Sequence, residues 1–235
     1  MIIAAVLVAV ALFLAVLNIN FIRLKNDKYS SVRQFKAVSR ITSWGVPLVT
    51  NTKIKIDGLA LLDQVEMGVI YANHQSYFDI FSLLKGLKRP HGYIAKKEME
   101  KFPIVNNGMR LIQCGFLDRD DNRSAAKVIL EAIKTVKTGH LMVIFPEGTR
   151  QVNAPMGHFK AGSFKVATKA KASIIPMTIY NTFEVGKRWP RPTTIKIKIH
   201  TPISYDQYKE MATHEIAEMV EKIVKQDLNE QHVNK

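Results

Sequence analysis

With 235 residues and 47% hydrophobic side chains, the chain has material for one core of ordinary size plus an appendage, which excludes a disordered polymer. Its 34 Lys and Arg against 20 Asp and Glu leave a charge of +14, a surplus that attracts nucleic acid, anionic lipid surfaces or acidic small molecules. The single cysteine, Cys114, excludes an intrachain disulfide and suits a reducing compartment.

The N-terminus narrows the choice of partner. Met1 to Leu17 carries no polar side chain, and the first charge is Arg23. As a helix, residues 1–22 would extend about 33 Å, against a hydrocarbon core of roughly 30 Å. No Lys or Arg precedes the apolar stretch, which argues against a cleaved signal peptide. Arg23, Lys25, Lys28, Arg33, Lys36 and Arg40 follow it, so the positive-inside bias puts the rest of the chain on the cytoplasmic face. The same residues suit anionic headgroups. Phe35, Val38, Ile41 and Trp44-Gly45-Val46 recur at near-helical spacing, which predicts an interfacial amphipathic helix over 29–50. Residues 1–50 therefore read as a membrane anchor, spanning the bilayer or dipping into one leaflet, and residues 51–235 as a cytoplasmic domain. A nucleic-acid partner is disfavoured, because the basic cluster flanks the apolar segment and no recognition motif accompanies it.

From Lys53 onward, short strand-like runs alternate with helical patterns. Lys53 to Asp57 alternates with period two and stops at Gly58. Val69 to Ala72 is a buried strand, Ile80 to Leu87 a helix, and Tyr93 to Ala95 another strand. Glu98 to Met109 has helical character interrupted by Pro103. Phe116-Leu117-Asp118-Arg119 again runs from apolar to polar. Asn122 is placed as the N-cap of a helix reaching Lys137, and strand 141–145 follows Gly139. A basic helix over 160–171, strands over 174–179 and 194–200, and one amphipathic helix from Tyr205 to about Leu228 complete the chain. The pattern predicts one α/β domain.

Two polar motifs follow buried strands, where open α/β sheets bind ligands. The first is Asn73-His74-Gln75-Ser76-Tyr77-Phe78-Asp79, the second Phe145-Pro146-Glu147-Gly148-Thr149-Arg150. A neutral His74 can take a proton from an alcohol if its other ring nitrogen is held. Asp79 is the nearest carboxylate. With His74 in the turn and Asp79 in the first helical turn, the two can meet, and the carboxylate also suits the helix N-terminus. No G-x-S-x-G elbow is present and Ser76 lies too near His74 in sequence, so direct transfer to an acceptor hydroxyl is expected without a covalent enzyme intermediate. The seven His residues show no metal-ligand spacing, and neither a Walker A loop nor G-x-G-x-x-G occurs. Arg119 and Arg150 each follow a strand-like run and can converge on a phosphate. Gly148 lets backbone approach a ligand, and Glu147 can hold a hydroxyl or pair an Arg.

Taken together, N-H-Q-S-Y-F-D at 73–79, G-F-L-D-R at 115–119, F-P-E-G-T-R at 145–150 and I-I-P-M at 174–177 resemble the 1-acylglycerol-3-phosphate acyltransferases, the lysophosphatidate acyltransferases of phospholipid synthesis. Phe159-Lys160-Ala161-Gly162 looks like that family's linker between its last two blocks. The resemblance covers roughly residues 53–200. It implies an α/β fold with helices on both faces of a mixed sheet, anchored at the cytoplasmic membrane surface. It also implies acyl transfer from acyl-CoA or acyl-carrier protein to lysophosphatidic acid without metal or other cofactor. His74 would be the general base and Asp79 its partner in the family's H-x4-D motif. Arg119, Glu147, Gly148, Thr149 and Arg150 would form the acceptor site, and Pro176 would shape the acyl-donor side. Gln151, where Ser is common, and Met177, where Val is common, are departures that bear on acyl preference. Another lysolipid, or an amino-acid-linked lipid lacking phosphate, is the alternative acceptor.

Overall fold

The computed structural model describes residues 14–25, 31–118, 120–152, 154–187 and 190–233. Seven strands build one sheet: β1 (Thr52–Asp57), β2 (Gly68–Ala72), β3 (His91–Lys96), β4 (Gly115–Leu117), β5 (Leu141–Ile144), β6 (Ser173–Tyr180) and β7 (Thr193–Ile199). Their order is β1-β7-β6-β2-β5-β3-β4. All neighbours run parallel except the antiparallel pair β6–β7, so the sheet is mixed, as expected. The antiparallel pair follows from its connection. A parallel return needs a crossover of a dozen or so residues, usually helical. Among its described residues, the β6–β7 link has the short 3₁₀ turn Thr182–Glu184 and no α-helix.

Strand alternation sorts the side chains into two cores. Ile70, Val143, Ile175 and Ile197 face one layer, formed by residues 14–25 (α1), α2 (Ser31–Thr50), α3 (Phe78–Gly86) and α4 (Pro103–Leu111). Val69, Tyr71, Met142 and Ile174 face the other, formed by α5 (Asn122–Lys137), α6 (Lys165–Ala170) and α8 (Thr213–Val233). Central strands β2 and β5 are buried on both faces and read as continuous apolar runs, whereas β7 buries its isoleucines and exposes Lys196.

Several expectations change in detail. Asp121, not Asn122, caps α5: its Oδ1 accepts from the amides of Arg123 at 2.9 Å and Ser124 at 3.2 Å. The helix expected from Tyr205 to Leu228 is two helices. A one-turn α7 (Tyr205–Tyr208) starts at the Ser204–Gln207 capping box, and α8 starts afresh, with Glu215 accepting from the Ala212 amide at 2.7 Å. The basic helix over 160–171 opens as a 3₁₀ turn, Ala161–Phe164, before α6. Pro103 does not interrupt a helix but begins α4, where its missing amide costs nothing.

The expected N-terminal anchor is described only in part. In α2, Phe35 and Val38, the stripe expected to face lipid, are buried in the domain core, and the Ser39 hydroxyl donates to Leu84 O at 2.7 Å. Burial against α3 removes the same apolar area from water as a bilayer would, so periodicity alone cannot tell the two destinations apart. The side chains of Trp44 and Val46 lie outside the described residues. In α1, Phe21 packs against Gly108 of α4, while Leu14, Val16, Ile19 and Ile22 remain exposed. Residues 1–13 of the expected anchor lie outside the described residues, among which no helix is long and apolar enough to cross a membrane.

Candidate active site

The site begins with register. Val69 of β2 lies beside Met142 of β5, an offset of 73 residues that holds at Tyr71 and Ile144. Carried past both strand ends, the same offset brings His74 opposite Glu147. The contact is made: the His74 amide donates to Glu147 Oε1 at 2.7 Å. The other carboxylate oxygen accepts from the Gly157 amide, also at 2.7 Å. The His74 carbonyl accepts from the Gln151 amide at 2.8 Å, and the imidazole stacks on Phe145, centroids 4.0 Å apart. Two motifs seventy residues apart thus form one surface.

His74 and Asp79 meet as their spacing predicts. Nδ1 lies 2.6 Å from Asp79 Oδ2, which also accepts from the amides of Gln75 at 2.8 Å and Ser76 at 3.0 Å. Asp79 is fully buried in the first turn of α3. An oxygen already accepting from two amides acts as an acceptor here, so Nδ1 carries the ring proton and Nε2 presents its lone pair. Two backbone donors and the N-terminus of α3 thus meet this buried carboxylate beside the ring. The Ser76 hydroxyl accepts from the Phe78 amide at 3.3 Å. No Ser, Thr or Cys is hydrogen-bonded to the His74 ring among the described residues. Cys114 is no rival nucleophile, since burial pushes its thiol up to about 12.

Two residues of the first motif have duties that their spacing does not signal. The Asn73 side chain donates to Ile179 O at 2.9 Å and accepts from the Ile179 amide at 2.8 Å, extending the β2–β6 ladder where the backbone turns away. Gln75 Oε1 accepts from the Thr182 hydroxyl at 3.3 Å, tying the turn to the β6–β7 loop. These three bonds hold His74 where its ring projects past the sheet edge. An alternation of polar residues after a buried strand marks such a turn, but only the tertiary register reveals the partners.

The remaining candidates divide. Arg150 is exposed, its guanidinium 3.8 Å from the Tyr77 ring centroid, a stacked cation–π arrangement that joins the two motifs again. Gly148 sits at φ +75° in the turn between Glu147 and Arg150, a conformation that favours glycine. Thr149 is exposed beside it. Glu147 has a duty beyond the expected one: each carboxylate oxygen accepts from a backbone amide, so it braces the turn. Pro176 is buried in β6 beside Tyr71, three residues before His74, so it lies below the site and is not brought to it. Arg119 lies outside the described residues. Among the described residues, no group of three His, Cys, Asp or Glu could hold a metal ion.

Burial raises the Glu147 carboxyl from its ordinary 4.5 to about 7; the two amides oppose the shift, and the charges of Asp79 and Glu221 add to it. The folded chain then holds a proton that the unfolded chain has released. The associated stability is fully present below 4.5 and is lost as pH rises through about 7. Urea unfolding across that window is expected to show wild type losing stability relative to Glu147→Gln toward neutrality. A difference that stays level would contradict the assignment.

Comparisons with known proteins bear on the family and the fold. The family profile described as Acyltransferase matches residues 53–180. A 1-acyl-sn-glycerol-3-phosphate acyltransferase of Chlamydomonas reinhardtii is 35% identical over 153 residues, covering 63% of this chain and 46% of that protein. One from Borreliella burgdorferi is 32% identical over 147 residues, covering 63% of this chain and 57% of that protein. The chain thus spans about half the length of the curated relatives it matches. Among solved structures, the 1-acyl-sn-glycerophosphate (LPA) acyltransferase PlsC from Thermotoga maritima superposes with a TM-score of 0.73 at 25% identity, over 90% of this chain and 86% of that one. The matched segment runs from β1 to the end of β6, takes in both motif turns and exceeds half of the sequence, and on that ground the chain belongs to the acyltransferase family.

Proposed function

We propose that the chain transfers an acyl group from a thioester to the free hydroxyl of a 1-acylglycerol-3-phosphate, giving phosphatidic acid. The observation that carries this reading is the His74 Nδ1–Asp79 Oδ2 bond of 2.6 Å, made with no partner nucleophile on the other ring nitrogen among the described residues. A base so placed activates a hydroxyl supplied by the substrate. As the acceptor oxygen attacks the thioester carbonyl, His74 Nε2 takes its proton. The new C–O bond forms, the tetrahedral intermediate collapses, the C–S bond breaks, and the proton returns to the departing thiolate. Asp79 stabilises the imidazolium between those steps. Acyl-CoA or acyl-carrier protein is the donor class. The relatives' names and the cation Arg150 at the same turn support a phosphate-bearing acceptor.

The chain would work at the cytoplasmic face of a membrane, where a lysolipid acceptor resides. The exposed Val16, Ile19 and Ile22 of α1 and the charge of +14 support that placement.

In an acyl-transfer assay with lysophosphatidate and a long-chain acyl thioester, His74→Ala and Asp79→Asn are each expected to lower kcat by about 10²–10⁴-fold. Wild-type activity retained by both variants would remove His74 as the base. In flotation with vesicles containing anionic phospholipid, Val16→Asp combined with Ile19→Asp is expected to shift the protein away from the lipid fraction. Unchanged flotation would mean that α1 makes no lipid contact.

A further inference from the structure

The segment after the second motif returns to it. The Gly157 amide is held by Glu147, and the Lys160 amide donates to Pro146 O at 3.0 Å, so residues 157–160 lie along the motif turn. This aims the Lys160 side chain across Gly148. A Cβ placed on Gly148 would stand 3.0 Å from Lys160 Nζ, 3.4 Å from Cε and 3.6 Å from Cδ, so the whole end of the side chain lies over that glycine. Lys160 is exposed, and no carboxylate of the described residues lies within ion-pair distance of it. An ammonium left unpaired, over a glycine that admits close approach, next to a second cation two residues further on, is an arrangement that an anion would stabilise.

The placement is enforced from outside the motif. Glu221, on α8, accepts from the Phe159 amide at 2.8 Å through Oε2, and its Oε1 lies 3.1 Å from His158 Nδ1. Its side chain is only 15% exposed while that of His158 is 93% exposed, so the amide bond is the sheltered one and the His contact the solvated one. With Phe159 fixed by α8 and Gly157 fixed by Glu147, Lys160 is held from both sides. Residue 221 also falls beyond the segment matched by the family profile.

We propose that Lys160 is a ligand of the acceptor's phosphate beside Arg150, and that Glu221 is the positioning residue that keeps it over Gly148. This assignment rests on the acyl-transfer reading above and names a binding residue for it. The phosphates of a CoA donor share the same chemistry, so the test must separate the two sources. Steady-state kinetics on the full chain, varying lysophosphatidate and acyl-CoA in turn, does so. Lys160→Met is expected to raise the KM for lysophosphatidate about tenfold or more, the loss of one charge-assisted hydrogen bond, with the acyl-CoA KM unchanged. Lys160→Arg should recover most of it. Glu221→Ala should raise the acceptor KM in the same sense, and Glu221→Gln, whose amide oxygen still accepts from Phe159, should restore it. An unmoved acceptor KM, a rise confined to acyl-CoA, or a fall in kcat alone would overturn the assignment. Wild type that acylates no lysophosphatidate would instead defeat the functional reading on which it rests.

Discussion

One buried carboxylate holds the site together. Glu147 accepts from the backbone of His74 on one side and from that of Gly157 on the other, at 2.7 Å each, while being only 4% exposed. Without it, the amides of His74 and Gly157 would each lose a charge-assisted acceptor at this half-buried edge. The bonds also set geometry: the position of His74 follows from the β2–β5 register, and the path of 157–160 follows from the same side chain. His74, the glycine turn and the returning lysine therefore share one anchor. Desolvation outweighs the two amides at this carboxyl and raises its pKa.

The electrostatic plan is asymmetric. The acids are kept inside: Asp79 and Glu147 are buried, and each is met by backbone amides. Positive charge is kept outside on the same edge, on Arg150 and Lys160, and neither makes an ion pair with an acid of the described residues. Buried acids bonded to amides leave the surface cations free for a substrate, whereas buried Arg–carboxylate pairs would have consumed them. An overall charge of +14 extends that field over the chain and favours anionic donors, acceptors and surfaces alike.

Much of this was legible in the chain itself. The strands were readable because two periods are hard to confuse: Lys53 to Asp57 and Thr194 to His200 alternate, and Val69–Ala72 and Leu141–Ile144 are unbroken apolar runs. The His74–Asp79 pair was readable because both partners lie within one turn. Other features are properties of register and tertiary contact, which local patterns do not encode. Glu147 looked like a ligand for a hydroxyl or an Arg until the offset of 73 residues brought His74 beside it. Lys160 looked like part of a linker until its backbone bond to Pro146 turned it back over Gly148. Phe35 and Val38 looked interfacial because a helix face bound for lipid and one bound for a protein core have the same spacing. The break between α7 and α8 was hidden because apolar residues keep a helical period across it, while Glu215 caps a new start.

The claim most exposed to direct test is that the acyl group goes to a substrate hydroxyl and not to water. Incubating wild type with lysophosphatidate and a long-chain acyl thioester, then measuring released thiol and acylated lipid together, decides it. Equal amounts of free thiol and of a phospholipid heavier by one acyl chain are the result expected from a base that serves the acceptor. Thiol released with free fatty acid and no gain of mass on the lipid would show that His74 activates water, and the transfer reading would fall.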